Sequence, residues 1–193
     1  MAKEETPTYY PASREEWRKW LQENHVKEPA VWLVQYKKAS GIPSISWSEA
    51  VDEALCFGWV DSIRKSVGPD KFIQFFSKRK AKSTWSKINK AKIEDLTAKG
   101  LMTQAGIDII ALGKQNGSWT ILDEVEELTV PDDLEKEFKL NPGSKDYYLS
   151  LSKSVRKMIL HWVTMAKRPE TRQKRIQEVA ELAAQKLKPK HIG

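Results

Sequence analysis

A single cysteine, Cys56, stands in the 193 residues, which excludes an internal disulfide and any metal site built from several thiolates. No apolar run reaches membrane-spanning length, and the best one, MILHWVTMA at 158–166, is short and interrupted by His161. The amino terminus, MAKEETPTYYPAS, lacks the apolar stretch of a signal peptide. Missing too are Ser/His/Asp and metal-ligand spacings, an RNP-type motif, a zinc module and a helix-turn-helix. These absences point to a cytoplasmic protein with no metal, no cofactor and no transmembrane segment.

What the chain has in excess is tryptophan, with eight residues, and positive charge, with a formal net +7 and a pI near 9.3. Tryptophan serves cores and pockets alike, so the number alone does not choose between them. The charge favours acidic partners such as nucleic acid, anionic metabolites or a negative membrane surface, although many basic proteins bind none of these.

Along the chain, residues 1–12 read as a loose leader. Ser13 with Glu16 makes a capping-box signature ahead of Trp17, Trp20 and Leu21 on one helical face. AVWLVQY at 30–36 is short, β-branched and aromatic, and reads as a buried strand. Ser46 with Glu49 repeats the capping pattern before a helix that Gly58 ends. Two strands, 59–67 and 71–76, follow as a hairpin closed by Gly68-Pro69-Asp70. The next helix is expected to start at Ser83 or Thr84 and stop at Gly100. A shorter one covers 104–112, and 119–122 forms a small last strand. After the acidic 123–133 the pattern is helical, with Pro131 at a first helical position, a break at Asn141-Pro142-Gly143 and a fraying end at 186–193. The fold class is therefore α+β. A small antiparallel-containing sheet flanked by helices occupies 10–122, and a helical domain occupies 128–187.

Three long motifs in order, ALCFGWVDS at 54–62, RKAKSTWSKIN at 79–89 and AKRPETRQKRI at 166–176, with WLVQYKKASG at 32–41, resemble the YdeI/OmpD-associated or bacteriocin-protection family. The resemblance implies a bacterial protein connected with porin expression, bacteriocin protection and stress response. It also implies the helical domain at 128–187, and it supplies no catalytic residue. Lys78 and Ala81 replace prolines common in that family, which loosens the expected rigidity of the loop around Arg79.

The best candidate site is the hairpin and the helix start after it. Arg79 beside a helix amino terminus at Ser83 would suit a phosphate or carboxylate, since the unpaired N–H groups and a guanidinium both attract anions. Trp59 would form the pocket wall, while Trp85 and Asn89, four residues apart, would line one cleft. Strict alternation puts Asp61 and Arg64 on opposite faces of their strand unless it is bulged. The plainer reading makes Ser83 a cap, Trp85 core, the lysines solvated and Asp61 an ion-pair partner for an arginine. A second basic cluster, Lys167, Arg168, Arg172 and Arg175, would bind phosphates of nucleic acid or lipid, or find internal partners in Glu170 and the acidic residues 123–127 and clamp the tail onto the first domain. Cys56 with His25 or His161 is weighed as a nucleophile and base, and a buried small hydrophobe is the stronger reading.

The leading expectation is a non-enzymatic cytoplasmic binding or regulatory protein with an anion-accepting pocket for a small ligand. The rival is a hydrolase or transferase acting on an anionic metabolite with Asp61 as acid/base. Nucleic-acid binding through both basic clusters is a third reading, weakly supported by basic residues between aromatics.

Overall fold

The computed structural model describes residues 6–192. The chain divides into two compact units between Trp119 and Thr120; the first carries a four-stranded sheet with helices, and the second is helical. The α+β class and the helical C-terminal part are as expected.

In the first unit, strand β1 (Thr8–Tyr9) precedes helix α1 (Arg14–Asn24), whose start is fixed by the Ser13 side chain accepting from the Glu16 N–H. The leader is thus not loose throughout. Thr8 and Tyr9 pair in parallel with β2 (Ala30–Tyr36), and the Tyr9 ring lies 5.7 Å from that of Trp20. Residues 1–5 of that leader lie outside the described residues. Helix α2 (Trp47–Cys56) opens on a complete Ser46–Glu49 capping box. The indole N–H of Trp17 donates to the Ala50 carbonyl at 3.0 Å and ties α1 to α2.

The hairpin forms as β3 (Trp59–Val67) and β4 (Lys71–Lys78), giving the sheet order β1-β2-β4-β3. Alternation turns Val31, Leu33, Phe76 and Trp59 into one core with Trp17, Leu21 and the apolar face of α2. Each large side chain buried there stabilises the fold by about 1.5–3 kcal/mol. The opposite face of the sheet carries Trp32, Tyr36, Ile73 and Phe75, which are half-buried and stand outside that core.

Helix α3 (Lys87–Ala98) starts later than expected, with Ser86 rather than Ser83 or Thr84 as its cap. Helix α4 (Gln104–Gln115) runs three residues beyond Leu112. The strand expected at 119–122 is a turn, because Trp119 is used for packing: its N–H returns to the Gly113 carbonyl at 3.0 Å.

The second unit holds α5 (Asp123–Glu126), α6 (Asp132–Leu140), α7 (Ser144–Ser150), α8 (Lys153–Thr164) and α9 (Pro169–Ala184). Pro131 is the residue before α6 rather than its first member. Leu134, Phe138, Tyr148, Ile159, Leu160, Val163 and Ile176 form its core. The carboxyl end does not simply fray: Ile192 is buried in that core and His191 packs on Trp162 at 4.1 Å. Among the described residues, no helix is long and apolar enough to cross a membrane.

Candidate functional site

Arg79 is the first residue after the β3–β4 ladder, and its N–H donates to the Gly58 carbonyl at 3.0 Å. The chain then reverses at once. Ser83 N–H donates to the Lys80 carbonyl at 2.9 Å, and the Ser83 hydroxyl accepts from Lys80 N–H at 3.1 Å. That tight turn brings the Thr84 carbonyl to Arg79 Nη1 at 2.8 Å and lays the guanidinium over the Trp85 ring at 3.7 Å. The indole is held in turn by Trp119, 5.1 Å away, and by Gly113, where a Cβ would lie 2.7 Å from Trp85 Nε1.

Arg79 is only 6% exposed, and its Nε and Nη2 are buried with no hydrogen-bond partner. Trp59 Nε1, from the same end of the ladder, is likewise buried without an acceptor. Burial pushes the Arg79 pKa down to about 10, against an upward pull from the charge of Asp61. The result is a buried cation with donors to spare.

Asp61 lies at a bulge. Ser62 and Ile63 together oppose Phe75, and the extra residue returns Arg64 to the same face as Asp61. The Asp61 carboxylate accepts from Trp47 Nε1 at 3.1 Å and from Gln74 Nε2 at 3.3 Å. Gln74 also donates to the Ser62 carbonyl at 3.0 Å, so the bulge is pinned by a buried amide. Arg64 instead stacks on Phe72 at 3.5 Å. Asp61 is thus held by neutral donors, not by the arginine ion pair considered from the sequence.

The structure brings Arg79 and Trp85 together and separates the rest. Ser83 closes a turn and caps no helix, so the helix-terminus half of the expected site is corrected. Asn89 sits in the first turn of α3, its N–H on the Ser86 hydroxyl at 3.2 Å. Trp59 is in the core, edge-on to Trp20 at 5.8 Å. The residues that sequence reasoning missed are Thr84 on the guanidinium, Gly113 and Trp119 on the indole that it stacks on, and Trp47 and Gln74 around Asp61. Only Gln74, an amide in the apolar run KFIQFF, left a signal.

In the second unit the basic cluster divides. Arg172 makes a two-pronged pair with Asp133, at 2.6 and 2.9 Å, and joins α9 to α6. Its carboxylate partner is therefore Asp133 rather than Glu170 or the residues 123–127. Lys167, Arg168 and Arg175 line a cavity of about 350 Å³ with Thr171 and Met165, and Arg175 Nη1 donates to the Trp162 carbonyl at 2.5 Å.

Cys56 is fully buried, and burial first, then the charge of Glu53, raises its pKa to about 11. The thiolate is the reactive form, so the thiol is inert in the fold. A chromogenic thiol reagent at neutral pH is expected to leave native protein unlabelled and to titrate one thiol after denaturation; rapid labelling of native protein would restore a reactive cysteine. The ring of His25 is occupied by the Leu21 carbonyl at 2.8 Å, and His161 is exposed on α8. Among the described residues there is no group of three or more His, Cys, Asp or Glu side chains that could hold a metal ion.

Residues 9–109 match a domain of unknown function (DUF8412), and residues 127–186 match the family described as bacteriocin-protection, YdeI or OmpD-associated. The motifs at 32–41, 54–62 and 79–89 lie inside the first match and the motif at 166–176 inside the second. No curated protein and no solved structure matches the chain. The first match spans just over half of the sequence, so the chain belongs to the family of that domain of unknown function and carries a YdeI/OmpD-associated, bacteriocin-protection domain behind it.

Proposed function

We propose that the protein is a non-enzymatic cytoplasmic binding or regulatory protein that accepts a small anionic ligand at Arg79. One observation carries this reading: an arginine 6% exposed, its guanidinium stacked on Trp85, with two N–H-bearing nitrogens buried and unpartnered. A buried charge without a counterion costs several kcal/mol, and a carboxylate or phosphate oxygen would remove that cost. Asp61, engaged by Trp47 and Gln74, supplies a distant compensating charge rather than an acid or base.

The sign of the Arg79 shift sharpens the test. A cation whose folded pKa is depressed binds its proton more weakly in the fold, so the charged form destabilises the native state at neutral pH. Stability from this group rises as pH climbs through about 10 toward the higher pKa of a free guanidinium. Arg79→Met, which keeps the apolar stem and drops the charge, is therefore expected to stabilise the ligand-free protein by about 1 kcal/mol after loss of the Thr84 contact. The wild type should gain melting temperature with phosphate, nucleotides or carboxylates; a ligand at 100 times its Kd adds about 2.7 kcal/mol. Arg79→Met should gain none. A variant destabilised by about 2 kcal/mol or more would make the guanidinium a strut, and a wild type unmoved by every anion would end the reading.

A further inference from the structure

The sheet presents a second face with a different chemistry. β2 and β4 send Trp32, Tyr36, Ile73 and Phe75 away from the core, all half-buried. Trp32 and Phe75 are register partners and meet edge to face at 4.9 Å, and Tyr36 meets the exposed Tyr10 edge-on at 5.2 Å. An aromatic row of this kind is costly to leave open unless something stacks on it.

Cations surround the row. Lys65 Nζ sits 4.6 Å over the Trp32 ring, and Lys71 Nζ lies 6.0 Å from that of Tyr36. Across segments 30–48 and 62–78, Asp70 is the sole acidic residue, against Lys37, Lys38, Lys65 and Lys71; Arg64 and Lys78 fall on the other face by register. Asp61, the nearest other carboxylate on the hairpin, points to the core face, where Gln74 and Trp47 hold it. Lysines that rest on rings leave those rings accessible to any planar group able to displace them.

We propose that this open sheet face binds single-stranded nucleic acid, with Trp32 and Phe75 stacking on bases and Lys37, Lys65 and Lys71 holding phosphates. The pairing of flat π-faces with a basic surround fits a polymer that alternates planar bases and negative charges at short spacing. A duplex hides its base faces and would use only the lysines. When a base moves onto Trp32, Lys65 is released toward the adjoining phosphate, so one displacement yields both contacts. The site is independent of Arg79, which lies beyond the end of the ladder.

The test is fluorescence anisotropy with labelled short oligo(dT), oligo(U) and a hairpin duplex, read between about 50 and 200 mM salt. Binding of either single strand, clearly tighter than the duplex, is expected. Three single-strand phosphate contacts predict a log–log salt slope of about −2. Trp32→Ala should weaken single-strand binding about tenfold and leave duplex binding unchanged. Lys65→Gln with Lys71→Gln, both outside the core, should weaken it and flatten the salt slope even if Trp32→Ala folds poorly. Arg79→Met should bind as wild type. Equal affinity for duplex, indifference to the lysine pair, or no binding at low salt would each overturn the proposal.

Discussion

Replacing both Arg14 and Arg18 by alanine will destabilise the protein by about 3–5 kcal/mol, and adding Glu53→Gln to that double variant will recover most of the loss. Glu53 lies on α2 with its side chain 2% exposed, a burial that an ionised carboxylate tolerates only when paired. The pairing comes from α1: Arg14 Nε lies 2.5 Å from one carboxylate oxygen and Arg18 Nη1 2.6 Å from the other. Arg18 also donates through Nη2 to the Leu101 carbonyl at 2.9 Å, so one side chain joins α1, α2 and the turn before α4.

The two sides of the network are not equivalent. The arginine side chains keep about a third of their surface in water, whereas the carboxylate keeps almost none. Removing the arginines strands a charge in the core. Removing the charge leaves two arginines that can rehydrate, so Glu53→Gln alone should cost only about 1–2 kcal/mol. Urea titrations of the four proteins supply the cycle, with an unchanged m-value certifying that only stability moved. A double variant that loses about 1 kcal/mol, or one that Glu53→Gln does not rescue, would show that these arginines act through packing alone.

The sequence made legible what local chemistry decides. The Ser46–Glu49 box, the α1 start at Ser13 and the hairpin reversal at Gly68-Pro69-Asp70 each depend on residues within one turn of one another. The start of α3 was ambiguous because Ser83, Thr84 and Ser86 are all able caps. Ser86 takes the role because the Ser83 hydroxyl is already committed to Lys80. That choice moved the helix terminus away from Arg79 and replaced it with the Thr84 carbonyl. The pairing of Thr8 and Tyr9 with β2 is non-local and too short to leave a pattern. The Asp61–Arg64 bulge is set by a cross-strand amide, Gln74, whose register could not be read from either strand alone. Trp119 and Ile121 have strand propensity, yet Trp119 is bent back onto Trp85, a tertiary demand that outweighs propensity.

Gly106→Ala should lower stability by about 3 kcal/mol, against the helix-propensity gain of about 1 kcal/mol that the same change brings at an exposed helical site. The opposing effects can be ranked from geometry. A Cβ at Gly106 would lie 2.3 Å from the carbonyl oxygen of Cys56 and 2.9 Å from its carbonyl carbon. Both are backbone atoms, so no rotamer change can make room. Nor can the carbonyl swing aside, since it accepts from Thr103 N–H at 3.1 Å and from the Thr103 hydroxyl at 2.6 Å. The hydroxyl of Thr103, placed to cap α4, serves the end of α2 instead, and the two helices meet through main chain. Relief of the clash must therefore separate α4 from α2, breaking both Thr103 contacts and opening the core around Met102. A chain of 193 residues loses about 2–4 °C of melting temperature per kcal/mol, so a fall of roughly 6–12 °C is expected in calorimetry. An unchanged or raised melting temperature would mean that α4 does not approach α2 this closely. Gly113→Ala offers the graded comparison, because there the first atom met is Trp85 Nε1, on a side chain. It should cost less stability but displace the indole, and with it Arg79, so that anion-dependent stabilisation falls while the fold persists.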